Sequence, residues 1–207
     1  MTATVVLATR NAKKLEELRR VLAAEGIEVL GLADVTPHPE PEETEHTFAG
    51  NALLKARACV EATGLPTLAD DSGLTVAALG GMPGVRSARW AGPGSSDEEN
   101  LALVLRQLAD VPTERRTASF VCALALALPD GRSEVIHGEV TGRLTMWARG
   151  ENGFGYDPIF LPDGHDRTTA EMSAEEKDAI SHRGRAIRAM VPILTELLTA
   201  TERDGER

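Results

Sequence analysis

Apolar and polar positions fall along the chain in blocks of two kinds. Val5 to Ala8 is a short uninterrupted apolar run, the pattern of a strand buried on both faces, and Leu15, Leu18, Val21 and Leu22 follow at helical spacing. Asn11 stands where that helix needs a cap and Gly26 where it should stop. The chain therefore opens strand, loop, helix, and a second strand is expected around Ile27 to Leu32. The stretch "VTPHPEPEETEHT" is too polar and too interrupted by proline to enter a core and reads as a surface loop. Phe48, Ala52, Leu53, Ala56 and Val60 mark the apolar side of a second helix, from about Thr47 to Thr63, with Gly64 as its stop. A strand ending at Asp70 and Asp71 comes next.

The glycine-rich span "GLTVAALGGMPGVRSARWAG" reads as mostly loop. Ser96 and Glu99 then form a capping box for a helix through Leu108. Phe120 to Leu128 and Val135 to Thr141 read as two strands joined at "PDGR", a turn signal. Ser173 and Glu176 make another capping box, and a last helix begins near Ser181, with Pro192 inside it expected to kink or break it. Strands alternate with helices early and pair as a hairpin later, which predicts an α/β fold, a mixed sheet flanked by helices. The pattern leaves the strand order open.

Composition narrows the classes of function. With 207 residues, 42% of them apolar, the chain is long enough for one well-packed core or at most two small lobes. A formal net charge of -10 repels nucleic acid and anionic lipid, so neither a nucleic-acid polymer nor a membrane is an expected partner. Cys59 and Cys122 are far apart, which suits two buried thiols in a reducing compartment better than a disulfide or zinc site. In "MTATVVLATRNAKK" the positive charges follow the apolar residues, the reverse of a secretory signal. The longest apolar run, Phe120 to Leu128, is well short of the ~18 residues of a membrane span, and a cytoplasmic location is expected.

Four segments concentrate unusual polar residues at the ends of predicted elements. At "ATRNAKK", Thr9, Asn11 and Lys14 lie where a strand gives way to a helix, so that free backbone N–H groups and the helix dipole favour an anion. The same residues also read as a simple cap followed by solvated lysines. Glu40, Glu42, Glu43 and Glu45 are either a solvated acidic loop or, with Asp70 and Asp71, oxygen ligands for a hard cation. Taken alone, Asp70 and Asp71 equally suit an Asx turn closing a strand. In "ENGFGYDPIF", Phe154 and Tyr156 stand out in a chain with 3% aromatic residues, and the flanking glycines allow a flat ring to approach the backbone. The alternative is a glycine-bearing loop feeding a core strand. Lys177, His182 and Arg183 of "EEKDAISHRGRAI" suit a nucleotide, or separately a cap and a surface. There is no phosphate loop of the form G-x-x-x-x-G-K-[ST], no complete G-x-G-x-x-G, no H-E-x-x-H and no G-x-S-x-G.

Together these segments resemble the inosine triphosphate pyrophosphatase family, the XTP/dITP diphosphatases, through "ATRNAKKLEE", "ETEHTFAGNALLKARA", "LADDSGL", "GGMPGVRSARWAG", "GFGYDPIF" and "EEKDAISHRGRA". The resemblance runs from Val5 to about Ile187. It implies an elongated mixed α/β fold of two lobes around a central active-site cleft, one catalytic domain over residues 1–200 with a disordered tail over 201–207, and a homodimer. It also implies hydrolysis of non-standard purine nucleoside triphosphates such as ITP, dITP and XTP to the monophosphate and pyrophosphate. Carried over residue by residue, Thr9, Arg10, Asn11, Ala12, Lys13 and Lys14 would hold the triphosphate. Glu43 and Asp71 would bind one or more magnesium ions, with Asp71 also accepting the proton of the attacking water. Ser72, Phe154, Gly155, Tyr156, Asp157, Lys177, His182 and Arg183 would contact substrate, and a purine 6-keto oxygen would accept from Arg183 or from nearby backbone N–H groups. One departure is Gly50, where the family often has a glutamate before the asparagine.

Overall fold

The computed structural model describes residues 4–24, 27–39 and 41–205; Gly26, read as a helix stop, and Glu40, read as one of the loop acids, lie outside the described residues. Strand β1 (Thr4–Leu7) is buried at Val5, Val6 and Leu7, and helix α1 (Ala12–Ala24) covers its own apolar stripe through Leu18 and Leu22. Asn11 caps α1 as expected, its Oδ1 accepting the Lys14 N–H at 3.2 Å. Strand β2 (Glu28–Gly31) follows. Helix α2 (Phe48–Thr63) has the predicted limits: Thr47 accepts the Gly50 N–H, and Gly64 closes the helix in the left-handed conformation.

Strand β3 (Thr67–Val76) departs from expectation. It does not finish at Asp70 and Asp71 but runs on through Gly73, Leu74 and Val76, so the glycine-rich span begins inside a strand. An extended residue needs only alternating burial on the two faces, and Leu74 and Val76 supply it where the composition suggests a loop. Beyond β3, short 3₁₀ turns at Ala77–Leu79 and Gly84–Arg89 lead to α3 (Asp97–Gln107), capped by the Ser96–Glu99 box. Strands β4 (Thr117–Ala127) and β5 (Ser133–Leu144) form the expected hairpin, then come β6 (Phe160–Pro162), α4 (Ala174–Ile180) behind its Ser173–Glu176 box, and α5 (His182–Gly205). Pro192 lies inside α5 without breaking it, and the helical backbone continues into the 201–205 stretch that the sequence reads as tail.

The six strands form one sheet in the order β2-β1-β3-β4-β5-β6. The β1–β2 and β1–β3 pairs are parallel and the β5–β6 pair is antiparallel, a mixed sheet in an α/β fold, as expected. The chain divides into two compact units. The first holds residues 1–71, 123–138 and 183–207, the second residues 72–122 and 139–182.

The core of the first unit is rich in small side chains: Ala52, Ala56 and Cys59 of α2 pack with Ala69 of β3 and Ala123, Ala125 and Ala127 of β4. Alanine against alanine lets a helix lie close to a sheet, which brings polar side chains flanking that stripe within reach of the strand beneath. The second unit is built instead on large groups, including Leu74, Val104, Leu108, Phe120, Leu144, Ile159 and Phe160.

Backbone crowding is tightest at Gly142, paired with Pro162 across β5 and β6, where a Cβ would stand 2.3 Å from the Leu161 carbonyl oxygen. The substitution Gly142→Ala is therefore expected to destabilise the protein by about 2 kcal/mol, read as a lowered thermal unfolding midpoint.

Candidate active site

Neighbouring residues of a strand point to opposite faces, so Asp70 and Asp71, in the middle of β3, make different direct contacts. Both are buried, at 2% and 5% exposure. Each carboxylate makes its own direct ion pairs, all within the first unit, while Lys14 and Lys55 act on both at longer range.

On one face, Asp70 Oδ2 lies 3.0 Å from Lys14 Nζ of α1 and 3.4 Å from Arg183 Nε of α5. Arg183, itself buried, donates through Nη1 to Glu17, one turn beyond Lys14 on α1. Burial alone would disfavour the Asp70 charge, but Lys14, Arg183 and Lys55 outweigh it and hold the carboxyl well below the usual carboxylate range. Asp70 is thus an ionised anchor for Lys14 and Arg183.

On the other face, Asp71 Oδ1 lies 3.2 Å from Lys55 Nζ, and Asn51 Nδ2 donates to Asp71 Oδ2 at 3.3 Å. The same Lys55 ammonium is 3.0 Å from Glu43 Oε1. Asn51 also pins the acidic loop, its Oδ1 accepting the Glu45 N–H at 3.0 Å and its Nδ2 donating to the Glu45 carbonyl at 3.3 Å. Burial pushes the Asp71 carboxyl up, Glu43 adds to the rise, and Lys55 and Lys14 oppose it, leaving it above the ordinary aspartate value. For Lys55, burial works against the charge, but Asp71, Asp70 and Glu43 prevail and raise it. A carboxylate raised in this way and oriented by an amide and an ammonium is suited to accept a proton. Lys55 also borders a small recess together with Ala8, Arg10, Leu32, His38 and Pro41.

Lys55, Asn51 and Glu17 were not singled out by the sequence reading. The signal for the α2 pair is visible afterwards: Asn51 and Lys55 are four apart, each adjoining an alanine of the apolar stripe, where a solvated helix face would not put a buried amide and a buried lysine. Of the residues read from the sequence, Lys14, Glu43, Asp70, Asp71 and Arg183 come together here. Thr9 to Lys13 lie at the β1–α1 junction, with Arg10 donating to the His38 carbonyl at 3.0 Å and Thr9 Oγ1 accepting the Asn11 N–H at 3.2 Å.

The remaining expected residues belong to the second unit. Asp157 is buried, and its Oδ2 accepts from Lys177 Nζ at 2.7 Å and from the Phe154 N–H at 2.9 Å, while Oδ1 accepts from Thr169 Oγ1 at 2.7 Å. Its side chain therefore organises its neighbours. Lys177 Nζ also lies 4.9 Å from the centre of the Phe154 ring. Tyr156 donates its hydroxyl to the Ser87 carbonyl at 2.8 Å, and burial together with Asp97 pushes its phenol far up. His182 stacks on Phe120 with ring centres 5.0 Å apart, and Ser72 is half-buried.

With this geometry in hand, comparison with known proteins gives a consistent answer: a profile of the Ham1 family matches residues 5–193. The chain belongs to the Ham1 family. A relative in Streptomyces coelicolor named dITP/XTP pyrophosphatase is 56% identical over 197 residues, covering 94% of this chain and 98% of that one. A HAM1 protein of known structure from Coxiella burnetii is 43% identical, with a TM-score of 0.84, and covers 94% of this chain and 100% of that one. The structure of a nucleoside-triphosphatase, dITP/XTP pyrophosphatase, from Mycobacterium abscessus is 53% identical with a TM-score of 0.75, covering 91% of this chain and 99% of that one. The family resemblance read from the six motifs and the α/β architecture are thereby borne out. Within this Ham1 chain, Gly50 is more than a missing acid, because a Cβ there would stand 2.7 Å from the Glu45 Cβ.

Removing Asp70 leaves Arg183 and Lys14 short of a buried counter-charge. The variant Asp70→Asn is expected to lose about 3 kcal/mol of stability, measured by denaturant unfolding.

Proposed function

We propose that this chain hydrolyses non-standard purine nucleoside triphosphates, ITP, dITP and XTP, to the nucleoside monophosphate and pyrophosphate. The observation that carries this reading is the Glu43–Lys55–Asp71 cluster beside Lys14, in a chain whose relatives are named dITP/XTP pyrophosphatases.

In this reading the junction Thr9 to Lys14 receives the phosphates, Lys14 keeping its ion pair with Asp70 while its partly exposed ammonium faces the anion. Asp71 takes a proton from water as the water oxygen bonds to the α-phosphorus and the bond to the bridging oxygen breaks, releasing pyrophosphate. Asn51 and Lys55 hold the accepting carboxylate in place, and Lys55 balances it against Glu43. The task is mostly positioning and charge neutralisation.

Glu43 and Asp71 already bracket one cation, the Lys55 ammonium, and no cluster of three or more His, Cys, Asp or Glu suited to a metal occurs among the described residues. Two carboxylates without further protein ligands fit a magnesium ion that draws most of its coordination from water and phosphate. When bound, it supplies charge neutralisation at the phosphate oxygens.

For the base, the reading assigns Phe154 to Asp157, Ser72, Lys177, His182 and Arg183. Asp70 and Glu17 fix the plane of the Arg183 guanidinium, which donates to a 6-keto oxygen, whereas the 6-amino group of adenine offers donors to a donor. The reading also takes the protein as a single catalytic domain over residues 1–200, a cytoplasmic homodimer with no nucleic-acid polymer as partner. Among the described residues no helix is long and apolar enough to cross a membrane.

The decisive experiment incubates the protein with ITP, dITP and XTP, and with ATP and GTP as controls, and separates the products by chromatography. Monophosphate plus pyrophosphate is expected, preferentially from the first three, and a chelator should abolish turnover. Diphosphate plus phosphate would place the attack at the wrong phosphorus, and tight binding without product would make the chain a nucleotide-binding module. Asp71→Asn should lower kcat by about 10³-fold with the fold retained by circular dichroism. Lys55→Ala should cost about 10²-fold, because Asp71 loses the ammonium that orients it.

A further inference from the structure

The loop Gly153 to Asp157 is held by hydrogen bonds that can be followed one at a time, all inside the second unit. Phe154 N donates to the Asp157 carboxylate at 2.9 Å and Asp157 N donates back to the Phe154 carbonyl at 3.2 Å. Asp157 is clamped in turn by Thr169 and Lys177, and Tyr156 is tied to Ser87. That leaves the peptide between Phe154 and Gly155. Its carbonyl edge is taken by Asp157 N, and its N–H edge donates to Asp97 Oδ2 at 2.9 Å, across 58 residues of sequence.

Gly155 sits at φ +60 and a Cβ there would meet no atom within 4 Å, so apart from the hydrogen bond on its carbonyl edge a glycine backbone gives this peptide little resistance to turning. Asp97, from the first turn of α3, supplies the restraint on the N–H edge. The Phe154 ring, half-buried and lying over Lys177 Nζ, takes its position from the backbone that Asp97 holds. Asp97 shares its turn with Glu98 and Glu99, and an acid there also favours the start of a helix. Glu98 is exposed in the same turn and so provides a matched control for that ordinary role.

We propose that Asp97 is a positioning residue for the nucleotide: by fixing the Gly155 amide it sets the Phe154 ring where the purine is received. This rests on the pyrophosphatase reading above. A residue that places a binding surface without touching the reacting phosphate changes KM more than kcat.

The test uses the full chain as wild type, D97A, D97N and E98A, with two readouts: steady-state kinetics on ITP and hydrogen exchange at the Gly155 amide without nucleotide. D97A is expected to lose protection at Gly155 and to raise KM about tenfold while kcat stays within about threefold. D97N keeps an acceptor oxygen without the charge and should fall between wild type and D97A in both readouts, so a D97A protein that failed to fold would still leave the idea open to refutation. E98A should match wild type. Unchanged KM and unchanged Gly155 protection in D97A and D97N would overturn the proposal, as would an equal effect in E98A, which would reduce Asp97 to a helix-end charge. A wild type that does not turn over ITP would count against the pyrophosphatase reading instead. Asp97 would then be judged by Gly155 protection and by calorimetric ITP binding across the same four proteins.

Discussion

Two adjacent carboxylates are buried in one strand here because each finds a cation on its own side of the sheet. The alternation of β3 sends Asp70 toward α1 and the start of α5, and Asp71 toward α2. Everything distinctive about the first unit answers that demand. Lys14 and Arg183 answer it on one side and Lys55 on the other, and each of these cations then has to be placed and oriented. Glu17 does so for Arg183, Glu43 for Lys55, and the alanine stripe of α2 does so for the whole second face by allowing the helix to lie close.

The two aspartates differ in character because the balance of burial and charge differs. Asp70 meets two cations directly and stays ionised, a fixed counter-charge. Asp71 shares one lysine with Glu43, and burial wins, so its carboxyl binds a proton more readily. A pair of identical residues is thereby divided into a fixed counter-charge and a carboxyl that takes up a proton more readily.

Much of this was legible in the sequence. The caps at Asn11, Ser96 and Ser173 are local signals that depend on a few consecutive residues, and the helices start where those signals stand. The end of β3 is not a local signal: Asp, Asp, Ser and Gly resemble a turn in composition, while the burial that keeps Leu74 and Val76 extended comes from distant chain. Lys55 and Asn51 are hidden in the sequence for a related reason. A polar residue beside an alanine stripe reads as the helix edge until the opposing strand is known to carry a buried acid. The pairing of Asp157 with Lys177 and of Asp97 with Gly155 likewise joins segments whose separation no local pattern encodes.

Gly50 shows how such a cluster restricts its own history. Glu45 stands where a side chain at position 50 would begin, and the backbone of Glu45 is tethered at both its N–H and its carbonyl to Asn51. An acid introduced at position 50 would press on the segment that brings Glu43 to Lys55, so the space at position 50 depends on the side chain at position 45. Side-chain volume at one of these positions therefore limits what the other can carry, and a change at either is felt at the Glu43–Lys55 contact.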